Sequence, residues 1–466
     1  MTIRLFKHYV PLPFVFLAVI EGLIFFGSPF LAVSWLEDLL FRSEGVHAIR
    51  PDQALLFAGI TLLCIFAVGL YNPRQRIDFA GQFVRVLVGV VAALLVLAVV
   101  FFLGPELNFG RDDLLLAAAF ALFGSLLARL IFYRSAHGER FKRRVLVYGA
   151  GRQATSIAAL RRRSDQRGFR LVGYVPAVGD RKILVPPSSI LDSKESLADY
   201  CVEHAVDEIV VAMDDRRHDF PMRELLKCRL DGIKVTEVLN FLERETGKVQ
   251  LDVLNPSWMI FSEGFQRGRL HATSERTCDI VASLLLLSIA WPVMLVTALA
   301  MKIEDGPRAS VLYRQVRVGQ FGKLFRLIKF RSMTHGAEQD GQPRWAEHND
   351  SRMTRVGSLI RRMRIDELPQ VFNVLRGDMS FVGPRPERPE FVVDLEERVP
   401  FYRERHNLKP GITGWAQLCY PYGSSEKDAR EKLQYDLYYV KNHTLLFYLA
   451  ILVQTVEVVV WGKGAR

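Results

Sequence analysis

Cysteine is scarce and scattered. The five residues, Cys64, Cys201, Cys228, Cys278 and Cys419, are odd in number and never fall in a C-x-x-C pair. That spacing indicates neither a disulfide framework nor a zinc site, and the thiols read as buried side chains in a reducing compartment. The chain has no Walker A sequence, which removes the ATPase and kinase readings. It has no RNP, zinc-finger or helix-turn-helix signature either, so its net charge of +11 points away from nucleic acid and toward anionic lipid or a phosphorylated substrate. What the chain has in quantity is apolar sequence, half of its 466 residues, gathered into long runs. The expected fold class is therefore a membrane protein, α plus α/β, with two or three domains.

Four apolar runs fill the first third, at 9–36, 52–71, 79–103 and 114–133, each near the ~20 residues that span a bilayer. The first is too long for a cleaved signal peptide and lacks a small-residue cleavage site. Arg4 and Lys7, Arg74 and Arg76, and Arg134 with the basic cluster 140–144 lie on one side of the alternating connections. The positive-inside rule then places both ends of this four-helix transmembrane unit, residues 1–141, in the cytoplasm.

Residues 142–264 read as a Rossmann-like α/β domain. RRVLVYGAGRQATSIAALRR gives strand, Gly-rich turn and helix; FRLVGYV and VDEIVVAM give further strands. The turn 149–154 fits G-x-G-x-x-A, which can hold a pyrophosphate on a helix N-terminus. The acid expected after the second strand is missing, with Asp180 several residues late, so a role in packing, dimer contacts or regulation is favoured over cofactor binding. A nicotinamide-dependent epimerase reading also fails, because no tyrosine has a lysine four residues later.

Residues 274–302 are long enough to cross a bilayer but contain Pro292, which removes a backbone donor and clashes with the carbonyl of Ser288. Arg267, Arg269 and Arg276 precede the run, and Lys302 with a basic region follows it. Both flanks favour the cytoplasm. The expectation is a re-entrant helical hairpin turning at Trp291 and Pro292, with Ser288 or neighbouring protein satisfying the freed backbone.

Residues 303–466 carry the chemistry. Period-2 alternation in KFRSM puts Lys329 and Arg331 on one strand face, suited to clamping a phosphate. In RIDELPQVFNVLRGDMSFVGPRP, Asp366 is expected as N-cap and Glu367 as first-turn residue of a helix ending near Gly377. On spacing alone the pair reads equally as a cap in salt bridges with Arg362 and Arg364, or as a Mg²⁺-binding carboxylate pair beside phosphates. Arg385, set between two prolines in GPRP, tilts the balance: a stiffly held guanidinium suits a phosphate. The closing run 445–461 contains Gln454 and Glu457 and reads as a helix on the membrane surface or packed on the domain.

RQVRVGQFGKLFRLIKFRSM, RIDELPQVFNVLRGDMSFVGPRP, KPGITGWAQ and KLQYDLYYVKN together resemble the bacterial sugar transferases, the polyprenyl-phosphate hexose-1-phosphate transferases or monotopic phosphoglycosyl transferases. The resemblance covers residues 274–466, and the preceding architecture looks like the long-form members that start exopolysaccharide or O-antigen synthesis. It implies transfer of a sugar-1-phosphate from a UDP-sugar to undecaprenyl phosphate with release of UMP, at the cytoplasmic face of the bacterial inner membrane. Asp366 would be the nucleophile forming an aspartyl-phosphosugar, with Glu367 its partner near Mg²⁺. Arg385 would steer a substrate phosphate, helped by Lys329, Arg331 and Arg364, and Asp436 would line the site. Where many members have Ser-Pro at the hairpin turn this chain has Trp291-Pro292, with Ser288 one turn earlier. A homodimer through the membrane helices or the α/β domain is expected from architecture, and no nucleic-acid partner.

Overall fold

The computed structural model describes residues 2–5, 8–40, 49–71, 79–108, 110–136, 142–160, 168–178, 180, 182–191, 196–215, 220–254, 256–261, 268–334, 352–421, 423 and 425–460. They form two compact units, Met1–Gly247 and Lys248–Arg466.

The first unit opens with a short antiparallel hairpin, β1 (Thr2–Leu5) and β2 (His8–Pro11). Four helices follow: α1 (Leu12–Leu40), α2 (Pro51–Ala67), α3 (Phe79–Leu103) and α4 (Arg111–Ala136). By length and composition α1, α3 and α4 can cross a membrane. The second expected span is shorter than the reading had it. Pro51 sits at the helix start and a turn follows Ala67, leaving 17 residues, or ~25 Å of helix against a ~30 Å hydrocarbon core. Phe25, Phe57, Val86, Leu97 and Ala121 are buried between the helices, while Leu23, Leu95, Phe102 and Phe123 face outward.

One ionic contact lies inside this apolar bundle. Glu21 on α1 and Arg129 on α4 are fully buried and 2.7 Å apart. Ser125 donates to Glu21 at 2.5 Å, the Tyr71 hydroxyl donates to it as well, and Arg129 donates to the Leu70 carbonyl. The network ties two long helices to the turn after α2.

The same unit contains β3 (Arg143–Tyr148), α5 (Arg152–Ala158), β4 (Phe169–Val175), α6 (Leu197–Glu203), β5 (Glu208–Val211), α7 (Met222–Leu230), β6 (Lys234–Glu237) and α8 (Val238–Thr246). The strands form one parallel sheet in the order β4-β3-β5-β6. Val145, Leu146, Val147, Ile209 and Val210 are wholly buried, as central parallel strands covered on both faces require. Glu208, also wholly buried, is held by Arg244 at 2.8 Å and Arg143 at 2.7 Å.

The second unit runs through α9 (Pro256–Phe261), α10 (Arg269–Asp305), the antiparallel pair β7 (Leu312–Val318) and β8 (Leu324–Phe330), α11 (Arg355–Arg362), α12 (Val371–Arg376) and β9 (Ser380–Val382). It ends with α13 (Pro389–Arg398), β10 (Gly411–Thr413), α14 (Trp415–Cys419), α15 (Glu426–Asn442) and α16 (Leu445–Val460). Val374, Leu437, Tyr438, Tyr448 and Ile451 anchor its core. The closing apolar run is thus a helix packed on the domain by one face, with Leu446 and Leu449 exposed on another.

The segment expected to turn at Trp291 and Pro292 is a single helical assignment, α10, with Pro292 inside it. The Ser288 hydroxyl donates to the Leu285 carbonyl and so does not fill the gap that the proline leaves. Ile280, Leu284, Leu285, Ile289, Trp291, Val296 and Leu299 are exposed along this helix. Both of its ends are gripped by the same unit. Near the start, Asp279 accepts hydrogen bonds from the Ser380 hydroxyl, the Phe381 amide and the Tyr448 hydroxyl. Near the finish, Glu304 accepts from the Arg355 and Val356 amides at the start of α11, and Asp305 pairs with Arg331 at 2.7 Å.

Candidate active site

α11 stops at Arg362, and Arg364 adopts the left-handed region at φ +59°. This reversal leads into a 3-10 turn, Ile365–Gln370, and the α-helix proper, α12, starts only at Val371. Asp366 is therefore the second residue of a 3-10 turn instead of an N-cap. Pro369 has no N–H to give the Ile365 carbonyl, so a full α-helical first turn gains nothing there. The C-terminal boundary is where the sequence puts it, since Gly377 closes α12 at φ +90°.

The turn presents its two carboxylates differently. Glu367 Oε1 lies 3.3 Å from Arg385 Nη2, 3.5 Å from Lys329 Nζ and 3.8 Å from Arg364 Nη1. Burial opposes its ionisation, but Lys329, Arg385 and Arg364 outweigh that and hold its pKa down at about 2. Asp366 is only 8% exposed, and its Oδ1 has no hydrogen-bond partner. Burial pushes its carboxyl up from the usual range and the neighbouring Glu367 charge adds to this, against Lys329, Arg361 and Arg364. Lys329 is lowered by its own burial, partly offset by Glu367. One acid is thus locked as an anion by cations, and the other is a shielded carboxylate with a free oxygen.

Arg385 comes from a loop fixed on several sides. The strands β9 and β10 pair in parallel, and the Gly383 amide donates to the Thr413 carbonyl while the Gly411 amide donates to the Pro384 carbonyl. A Cβ on Gly411 would lie 2.1 Å from the Gly383 nitrogen, so only glycine allows this approach. Arg317 donates to the Pro386 carbonyl at 3.0 Å, and Arg405 to the Arg385 carbonyl at 3.1 Å. The stiffness expected from two prolines has these further causes.

Four of the expected residues come together: Glu367, Lys329, Arg385 and Arg364, with Asp366 beside them. Arg331 lies one residue beyond β8 and pairs with Asp305, so the pair of cations read from KFRSM is divided between two places. Asp436 bonds Arg405 at 2.8 Å. With Glu387, Lys432 and Tyr402 these two line a cavity of about 250 Å³, so Asp436 reaches the site through Arg405 and the Arg385 loop. Ser288 and Pro292 lie in α10. Sequence reading missed Arg405, Arg317, Gln417, which accepts from Arg385 at 3.4 Å, and Asp279. The two arginines were hidden among many others, although RQVRVGQ and KPGITGWAQ hold Arg317 and Gln417 within quoted motifs.

In the α/β domain, the amides of the glycine-rich turn are already engaged. Asp214 accepts from the Arg152 and Gln153 amides, both at 2.8 Å, and Asp180 accepts from the Ala150 amide at 2.6 Å. A Cβ on Gly151 would come 2.2 Å from Asp214 Oδ2. The late Asp180 of the sequence thus turns back onto the fingerprint.

Residues 270–462 match the family described as bacterial sugar transferase, and residues 67–220 match a CoA-binding domain family. Over 245 residues the chain is 41% identical to the UDP-N-acetylgalactosamine-undecaprenyl-phosphate N-acetylgalactosaminephosphotransferase of Aeromonas hydrophila, covering 52% of this chain and 56% of that protein. Over 337 residues it is 31% identical to the UDP-glucose:undecaprenyl-phosphate glucose-1-phosphate transferase of Xanthomonas campestris pv. campestris, covering 69% of this chain and 67% of the relative. The chain belongs to the bacterial sugar transferase family. Both carboxylates and all the cations around them lie within the stretch that matches the family. This sugar transferase is also similar to an undecaprenyl-phosphate glucose phosphotransferase of Komagataeibacter xylinus, at 29% identity over 78% of this chain and 67% of the relative. The relatives' names differ in their sugars while agreeing on the lipid.

Proposed function

We propose that this transferase moves the sugar-1-phosphate of a UDP-sugar onto undecaprenyl phosphate and releases UMP, the first membrane step of exopolysaccharide or O-antigen synthesis. The observation that carries the reading is the unpartnered, buried Oδ1 of Asp366 beside a glutamate held ionised by three cations. In the first step Oδ1 attacks the phosphorus that bears the sugar. A new P–O bond forms, the bond to the bridging oxygen breaks, and UMP leaves with that electron pair. An oxygen of the lipid phosphate then attacks the aspartyl-phosphosugar at the same phosphorus, and the Asp366 carboxylate is regenerated. Arg385 and Lys329 balance the phosphate charge in both steps, Arg364 supports Glu367, and Asp436 acts through Arg405. Arg331 serves α10 instead of substrate.

Mg²⁺ fits the donor set: two adjacent carboxylates, one with a free oxygen, match a cation that takes one or two carboxylates plus substrate oxygens. Asp366 and Glu367 would hold it, and when bound it would neutralise phosphate charge.

We also read α10 as re-entrant. A crossing helix leaves its ends on opposite sides of a ~30 Å core, whereas Asp279 and Asp305 are both bound by one compact unit. A bend at Pro292 would return the chain to the side it left. On this reading residues 303–466 lie on the cytoplasmic face of the inner membrane, which the charge bias supports.

The test is incubation of the purified protein with a UDP-sugar carrying label in the β-phosphate, without lipid acceptor. Label attached to the wild type, released by hydroxylamine and absent from Asp366→Asn, is the expected result. UMP release by Asp366→Asn at the wild-type rate would overturn the assignment.

A further inference from the structure

Away from the carboxylate pair, three metal-ligating side chains converge where α10 begins. His271 and Glu275 lie one helical turn apart on α10, and His443 caps the C-terminal end of α15. Their ligand atoms all lie within 4.8 Å of one another. We propose that His271, Glu275 and His443 form a binding site for a divalent transition-metal ion of the Zn²⁺ class, which clamps the start of α10 to the junction of α15 and α16.

The physical case starts with His443. Its side chain is 7% exposed, and its Nε2 is buried with no hydrogen-bond partner, 3.6 Å from Glu275 Oε2. A buried polar atom without a partner is destabilising, and a cation between imidazole and carboxylate removes the deficit. The 3.6 Å spacing already suits tetrahedral coordination, in which bonds of ~2.0–2.2 Å hold neighbouring ligand atoms ~3.3–3.6 Å apart. On the other side, His271 Nε2 and His443 Nδ1 are 2.9 Å apart, a hydrogen bond that metal binding would exchange for coordination. Each residue offers one ligand atom and these lie within 4.8 Å of one another, so shifts of about 1 Å reach metal-ligand spacing.

The donor set selects the ion. Two imidazoles and one carboxylate suit zinc and its borderline neighbours, whereas Mg²⁺ and Ca²⁺ favour all-oxygen shells. His271 is only half-buried, which gives an entry path and room for water as a fourth ligand. Supporting contacts are in place: Ser380 Oγ lies 3.5 Å from Glu275 Oε1, and the Tyr439 ring packs edge-on against His443. Asp279, one turn beyond Glu275, makes its three hydrogen bonds to β9 and α16, so an ion at His271 would extend the same seam by a turn. The site stands independently of the transferase reading.

The experiment uses the full chain in detergent. After loading with Zn²⁺ and removal of loosely held metal, elemental analysis should find one zinc per chain in the wild type and much less in His443→Gln and His271→Gln. Co²⁺ should give d–d absorption typical of tetrahedral nitrogen and oxygen ligation, and Zn²⁺ should raise the Tm of the wild type but not of the two histidine variants. The His→Gln changes should weaken affinity by more than the ~10- to 100-fold that follows loss of a supporting hydrogen bond. Asp366→Asn, which leaves the histidines intact, should bind zinc as the wild type does. A wild type that keeps no zinc above the level of the two variants, or shows no Co²⁺ bands, overturns the site.

Discussion

Asp366 and Glu367 are adjacent in sequence and opposite in electrostatic circumstance. In the proposed mechanism Asp366 must be ionised to attack phosphorus, and its pKa is raised by burial and by the Glu367 charge. The acid limb of kcat/KM should therefore lie above the ~3.9 of an exposed aspartate. Glu367→Gln removes the negative neighbour and leaves Lys329, Arg364 and Arg385 in place. Loss of that charge favours the Asp366 anion, so the limb should move to lower pH even as the rate falls. A pH profile of UMP release checks the sign, and a limb moving upward would contradict it. For stability the two acids act oppositely. Glu367, held at about 2, contributes above its unfolded pKa near ~4.3 and loses that contribution as pH falls toward 2. Asp366, raised in the fold, opposes folding as pH rises through its pKa.

The elements give these side chains their geometry, and Arg405 shows how indirectly. It is 5% exposed, pairs with Asp436, and donates to the backbone of Arg385. Asp436→Asn should loosen the arginine loop and lower kcat/KM about 10- to 100-fold, the scale of a small misplacement of a positioning group. The loss should fall mainly in kcat, and Asp436→Glu should recover part of it. Steady-state kinetics on folded protein separates this from simple unfolding. In the membrane helices the counterpart is Glu21 with Arg129. Removing one partner of a buried ion pair costs about 3–5 kcal/mol, so Glu21→Gln should lower the Tm of the detergent-solubilised chain. Arg129 donates to the Leu70 carbonyl as well, so its replacement by methionine should cost at least as much.

Sequence legibility follows from where the physics is local. Gly377 at the end of α12, the strand FRLVGYV and the apolar run 79–103 are set by φ/ψ, alternation and length, and each appears at its expected residues. The carboxylate pair was legible for the same reason, with two acids among arginines on either side of one proline. The long-range pairings were not. Arg331 bonds Asp305, Asp214 bonds the glycine-rich turn, and Glu21 finds Arg129 across more than a hundred residues; no short window contains both partners. The 3-10 winding at Asp366 was missed because Pro369 is compatible with a helix's first turn, although its missing N–H also removes what an α-helical turn would gain over the tighter form.

At the scale of the whole molecule, the turn Gly149 to Gly151 bears on the α/β domain's role. Its amides serve Asp214 and Asp180, so a dinucleotide would have to displace two carboxylates of the chain itself. Wild-type protein should show no change in Tm with NAD⁺ or coenzyme A, and binding of either by calorimetry would reverse that reading. A homodimer through this domain or the membrane helices remains a proposal from architecture, checked by light scattering of the detergent-solubilised protein.

The hold of one unit on both ends of α10 also bears on the dimensionality of the proposed reaction. On the re-entrant reading proposed for α10, the catalytic unit would meet its lipid acceptor by search within a surface and its nucleotide donor by search through a volume. Adding inert detergent micelles thins the lipid across more surface without altering the donor concentration. The apparent KM for undecaprenyl phosphate, expressed per litre, should rise with detergent, while expressed as mole fraction it should stay constant. For the UDP-sugar the KM should not move.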